Sequence, residues 1–225
     1  MQQPLQKKIA IAFCLLAIND LLGITAEINW LHFIVKPMLM PALLLLLFYT
    51  KSLAPQKKLL MIGLFFSWLG DVFLLFEGKQ ALFFILGLAS FLTTHIFYIL
   101  YFLKIRSAPV SLLKKQPWLF VLVLAYGVAL VWQLYPYLGD LKIPVMIYAT
   151  VICTMLLCSL HIFSKINKKA AGFYLLGASA FVISDSLLAI NKFYQSFAYA
   201  GICIMLTYGA AQYFIVRGFI EQQNE

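Results

Sequence analysis

Stretches of roughly 20 apolar residues, each closed by lysines, glycine or proline, leave this chain few ways to fold. At 1.5 Å per residue, a helix of about 20 residues crosses the hydrocarbon core of a bilayer. Eight such spans are expected, at roughly 7–25, 30–50, 57–76, 81–104, 116–136, 142–164, 170–191 and 194–218. Only 11% of the residues are charged, against about 25% in a soluble domain. So little polar surface cannot cover a water-soluble globule. The expected fold is an all-α, polytopic integral membrane bundle, one transmembrane domain over residues 1–225 with short connections. The first span has no small-residue cleavage site and reads as retained.

Basic residues orient the spans. Lys7, Lys8, Lys51, Lys57, Lys58, Lys104, Arg106, Lys114, Lys115, Lys165, Lys168, Lys169 and Arg217 fall on one side; Lys36, Lys79, Lys142 and Lys192 fall on the other. Both termini are therefore expected in the cytoplasm. The net charge of +9 meets anionic lipid there and calls for no nucleic acid. Trp30, Trp118, Trp132, Tyr135 and Tyr137 sit at span ends, as interfacial aromatics do. Cys14, Cys153, Cys158 and Cys203 lie within spans without metal-ligand spacing and read as small packing residues.

Two carboxylates break the apolar pattern: Asp71 in "FSWLGDVFLL" and Asp185 in "FVISDSLLAI". Lys36 enters the second span. Counted from the expected outer ends, all three lie about 8–9 Å deep. Asn19 and Asp20 close the first span, and Tyr148 enters the sixth at a similar depth. An ionised group at mid-membrane costs at least about 2.5 kcal/mol, so such groups pair or line a wet cavity. In the fourth span Gly87, Ser90, Phe91, Thr94, His95 and Tyr98 share one helical face. Tyr208 and Gln212 stand one turn apart in the eighth. The expectation is a pocket toward the outer leaflet. A structural hydrogen bond, or an ion pair with Lys36, remains open for either aspartate, and Lys36 is open as counter-ion, phosphate contact or snorkelling side chain. His95 is equally open as a core histidine, and the tyrosines and Gln212 as helix glue. His32 and His161 receive no role. "FFSWLGDVFLL" and "SAFVISDSLLA" form a weak internal echo, each followed by an aromatic-rich helix.

No G-x-S-x-G elbow, H-E-x-x-H, P-loop or dinucleotide fingerprint is present, so serine and zinc hydrolysis lose support, and no cofactor or metal is called for.

Six segments resemble the YhhN-like lysoplasmalogenases: "VKPMLMPALLLL", "FFSWLGD", "GLASFLTTHIFYILYF", "IYATVICTM", "GASAFVISDSLLAINKF" and "TYGAAQYFI", in the family's order over about 35–215. Thr94 stands where the family usually has a smaller residue before its histidine. The resemblance implies an eight-helix membrane hydrolase that splits the vinyl-ether bond of lysoplasmenyl-choline or -ethanolamine. Its products are a fatty aldehyde and a glycerophospho-base, and its partners are the lysophospholipid substrate and membrane lipid. By motif match, Asp71 and Asp185 inherit the catalytic roles, and Lys36, His95, Tyr98, Tyr148, Tyr208 and Gln212 line the pocket. Vinyl-ether hydrolysis needs a carboxylic acid to protonate carbon and a carboxylate to face the resulting oxocarbenium ion, the division two carboxyls adopt in a glycosidase. Asp185 as acid and Asp71 as anion is the first order considered; the residues fix neither order. The substrate chain is expected along Gly87 and Ser90. A proton-coupled small-molecule or lipid transporter is the rival use of the same acids, and a Schiff-base sensor on Lys36 is a further one. Nothing in the residues sets an oligomeric state.

Overall fold

The computed structural model describes residues 2–52, 54–105, 111–163 and 166–223. Arg106 and Lys165, counted above for orientation, lie outside them. Among the described residues there are nine α-helices and no strand. They are α1 (Gln2–Thr25), α2 (Asn29–Phe48), α3 (Lys57–Leu75), α4 (Ala81–Lys104), α5 (Leu112–Lys115), α6 (Trp118–Leu134), α7 (Lys142–Ile162), α8 (Lys168–Ala189) and α9 (Ala200–Gln223). All but the short α5 belong to segments long and apolar enough to cross a membrane, eight in all. The protein is an integral, multi-pass membrane protein. It divides into two compact units, Met1–Tyr101 with Gln223–Glu225, and Phe102–Gln222.

In the first unit, α1 and α2 form a tight hairpin whose turn places Glu27 at φ 56°. Helix α2 continues through Pro37 and Pro41, each of which removes one backbone hydrogen bond. At the far end of α2, the Lys57 ammonium donates to the carbonyls of Phe48 and Thr50, at 3.2 and 2.9 Å, covering carbonyls the helix leaves open.

Helices α3 and α4 then pack antiparallel along one seam. A Cβ on Gly63 would sit 2.5 Å from the Tyr98 ring, one on Gly70 2.8 Å from the Phe91 ring, and one on Gly87 2.9 Å from Leu74. Between these contacts the Ser67 hydroxyl donates to Thr94 Oγ1, at 3.0 Å. Positions 63, 67, 70 and 74 thus meet 98, 94, 91 and 87 in reverse order, and small residues set the approach. The stripe expected to hold a substrate chain is this seam: Leu74 already fills the space beside Gly87, and the Ser90 hydroxyl returns to the Leu86 carbonyl.

In the second unit, Ser111 caps α5 by accepting from the Leu113 amide. Two apolar clusters join α6 to α7. One holds Val123, Cys153 and Leu160; the other holds Leu134, Leu138 and Val145. Gly139, at φ 52°, takes the turn between the two helices. Asn167 caps α8 by accepting from the Ala170 amide, at 2.6 Å. Helix α8 ends in a π-helical turn over Ile190–Tyr194, so α9 begins at Ala200 rather than near 194.

Helices α8 and α9 repeat the small-against-large seam. A Cβ on Gly218 would sit 2.7 Å from the Tyr174 ring, and one on Gly177 2.7 Å from Ile215. Phe181 meets Tyr208 edge-on at 5.7 Å, and the Ser184 hydroxyl donates to the Ile204 carbonyl. Glu221 joins Lys169 and Arg217 at the other end of this pair, at 3.0 and 2.6 Å.

Candidate active site

Each aspartate directly follows a seam residue: Asp71 follows Gly70, and Asp185 follows Ser184. One residue turns the helix by about 100°, so each carboxyl points off the face that packs its hairpin. That explains the small residue before each acid. Gly70 lets the Phe91 ring against α3, and Ser184 ties α8 to α9.

In the first unit Asp71 is 1% exposed, His95 and Tyr98 are fully buried, and Lys36 is 8% exposed. The Tyr98 ring fills the gap left by Gly63 and is held by packing. Among the described residues, the Lys36 ammonium has neither a hydrogen-bond partner nor an ion-pair partner. Among the described residues no ion pair joins Lys36 to an aspartate.

In the second unit Asp185 is half-buried. The Tyr148 hydroxyl reaches across from α7 and donates to its Oδ2 at 2.5 Å. A small cavity of about 40 Å³, walled almost wholly by apolar atoms, lies against both residues. One residue on, the Tyr126 hydroxyl donates to Ser186 Oγ at 2.7 Å, and Ser186 donates onward to the Val182 carbonyl at 2.6 Å. Two tyrosines, from α6 and α7, therefore fix this stretch of α8. Tyr208 and Gln212 are buried on α9, the Tyr208 ring against Phe181.

Two features escaped the sequence reading. Asn19, expected among the polar groups, is exposed, and its amide donates back to the Leu15 carbonyl. The acid beside it is engaged: Asp20 is 1% exposed and its Oδ1 lies 2.8 Å from His32 Nδ1. The signal was an acid in the last turn of one helix and a histidine in the first turn of the next, ends that a tight hairpin brings together. The Tyr126–Ser186 bond had no comparable signal.

No group of three or more His, Cys, Asp or Glu side chains able to hold a metal occurs among the described residues.

A model of the YhhN family matches residues 31–219. Lysoplasmalogenase TMEM86A of Homo sapiens is 30% identical over 177 residues, covering 76% of this chain and 68% of that protein. Lysoplasmalogenase TMEM86B of Homo sapiens is 29% identical over 204 residues, covering 90% and 79%. Lysoplasmalogenase TMEM86A of Bos taurus is 29% identical over 177 residues, covering 76% and 68%. No solved structure matches the chain.

Proposed function

The chain belongs to the YhhN family, and from that premise we propose that it is a lysoplasmalogenase-like hydrolase. Its substrate is a lysoplasmenyl-choline or -ethanolamine in the membrane, and its products are a fatty aldehyde and the glycerophospho-base. The relatives' shared activity supports the reaction. The observation that carries the mechanism is the carboxyl of Asp185, held by the Tyr148 hydroxyl inside a membrane helix and set against a small cavity.

In this reading Asp71 donates a proton to the vinyl-ether carbon remote from oxygen, leaving an oxocarbenium ion. Asp185 faces that cation and takes a proton from the water that attacks it. The hemiacetal then collapses as its hydroxyl proton passes to the glycerol oxygen, and water returns the proton from Asp185 to Asp71. This reverses the order first considered. The Tyr148 hydroxyl holds the Asp185 carboxyl in one orientation, which suits a group that aligns the attacking water, and on that geometry Asp185 takes that part here. Lys36, buried and without a counter-charge, takes the substrate phosphate as a point charge. His95, Tyr98, Tyr208 and Gln212 are proposed as further substrate contacts on the motif match alone.

The test is aldehyde release by purified protein in detergent, with no ion gradient. Asp71→Asn and Asp185→Asn are each expected to lower it at least about 10³-fold, within the range of general acid–base catalysis, while the protein still folds and inserts. Full activity in either variant overturns the mechanism. A wild-type protein inert toward a panel of alkenyl lysolipids overturns the reaction.

A further inference from the structure

Helix α6 is the least buried of the spans, with 11% of its apolar window covered. Its Leu124, Val128 and Trp132 face outward, as do Met146, Thr150 and Thr154 of α7. Between the two helices runs a groove of about 610 Å³, reaching from Tyr135 and Met146 at one end to Leu124 and Leu157 at the other. That volume lies in the usual range for ligand sites, about 300–1,000 Å³.

Three features make this more than an ordinary gap between helices. Gly127 presses α6 close to α7, since a Cβ there would lie 2.8 Å from Cys153 Sγ. The hydroxyls of Thr150 and Thr154 donate to carbonyls of their own helix, at 2.8 and 2.7 Å, so neither needs a partner in the groove. Most telling, Gly127, Val131, Ala149 and Cys153 form a wall common to the groove and to the small cavity that touches Tyr148 and Asp185.

Length and register agree with one kind of occupant. From Tyr148 to Leu157 the helix rises about 14 Å, close to half of a hydrocarbon core about 30 Å thick. In a lysolipid the ether bond lies next to the headgroup, and the rest of the chain trails into the leaflet. A bond placed at Asp185, in the small cavity behind the shared wall, leaves the remaining chain to pass that wall into the groove and run toward Leu157. Resting on the function proposed above, we infer that the α6–α7 groove seats the substrate's single hydrocarbon chain, entered sideways from the membrane. One groove for one chain also selects a lysolipid over a lipid with two chains.

Thr154→Trp places an indole across the far half of the groove. The ratio of turnover on an octadecenyl substrate to that on an octenyl substrate is expected to fall at least about tenfold, since each methylene lost from an apolar site costs about 1–3 kcal/mol. Leu122→Trp, exposed on α6 away from the groove, should leave that ratio unchanged. A lysolipid carrying a diazirine at its chain terminus should label Leu124 and Leu157 in the wild-type protein. Adducts spread evenly over lipid-facing helices assign the groove to bulk lipid and overturn the inference; so does a groove shielded from label by a second copy of the chain. Adducts in the groove with no aldehyde released refute the reaction and keep the groove. Aldehyde released with an unaltered ratio in Thr154→Trp refutes the groove and keeps the reaction.

Discussion

The α3–α4 hairpin of the first unit and the α8–α9 hairpin of the second are built alike and furnished differently. In both, glycines on one helix admit rings or branched side chains of the other, and an aspartate follows a small seam residue. Yet Asp71 is sealed at 1% exposure, whereas Asp185 is half-buried, bonded by a tyrosine and set beside a cavity. The seam therefore explains where a carboxyl can be held, and the neighbouring helix explains what it is held for. In the second unit α7 brings the Tyr148 hydroxyl, and α6 adds Tyr126 and the groove. Under the mechanism proposed above, a shared scaffold with unequal surroundings gives two chemically identical acids different tasks.

Removing the tyrosine's contribution tests that difference most sharply. Tyr148→Phe keeps the ring and deletes the hydroxyl that donates to Asp185. Hydrogen bonds to charged groups contribute about 1.5–3 kcal/mol, so kcat should fall about 10- to 100-fold, with little change in thermal unfolding. An unchanged kcat would mean that the two aspartates differ in surroundings without differing in role.

The spans were legible because apolar runs of membrane length admit one structure. Seven of the eight expected starts and most of the ends fall within a few residues of the helices found. The eighth does not: "NKFYQSFAY" reads as apolar continuation, but the chain spends it on a π-helical turn and a loop with Tyr199 at φ 62°. Asp71 and Asp185 stood out because charge inside an apolar run is costly wherever the helix points. Tyr148 was placed at their depth, but its pairing with Asp185 was not marked. Which residue of α7 faces Asp185 depends on how α7 and α8 rotate against each other, and that is set by packing 37 residues apart. The polar stripe of α4 misled for the same reason. Gly87, Phe91, Thr94 and Tyr98 share a face, and the face was used for packing against α3. The groove lies where the sequence looked least informative, because a trough between two uniformly apolar helices leaves no mark in polarity.

If the two hairpins are one device used twice, filling either seam should cost stability. Gly63→Ala and Gly177→Ala are each expected to lower the unfolding free energy by about 1–3 kcal/mol, the usual effect of overpacking, measured by denaturation in micelles. Gly177→Ala should be the more severe. Its Cβ meets the α9 backbone as well as a side chain, at 2.9 Å from the Ala211 carbonyl oxygen and 3.0 Å from the Ile215 amide. The backbone can yield only if the helices separate, whereas the close contacts opposite Gly63 are all with the Tyr98 side chain. Equal costs would place the resistance in the side chains opposite both glycines; a neutral Gly177→Ala would remove the seam from the second unit.

Gly172, five residues earlier on α8, has nothing within 4 Å of the position a Cβ would take. It pays the conformational entropy of a helical glycine without the close approach that justifies Gly177. In a helix interior alanine is favoured over glycine by about 0.8–1 kcal/mol, so Gly172→Ala should raise stability by about 0.5–1 kcal/mol in the same assay. The two alanines on one helix then move stability in opposite directions, and the sign is set by what stands opposite each residue. A loss at Gly172 matching the loss at Gly177 would mean that α8 resists alanine along its whole length, and the distinction between seam and open face would fail there.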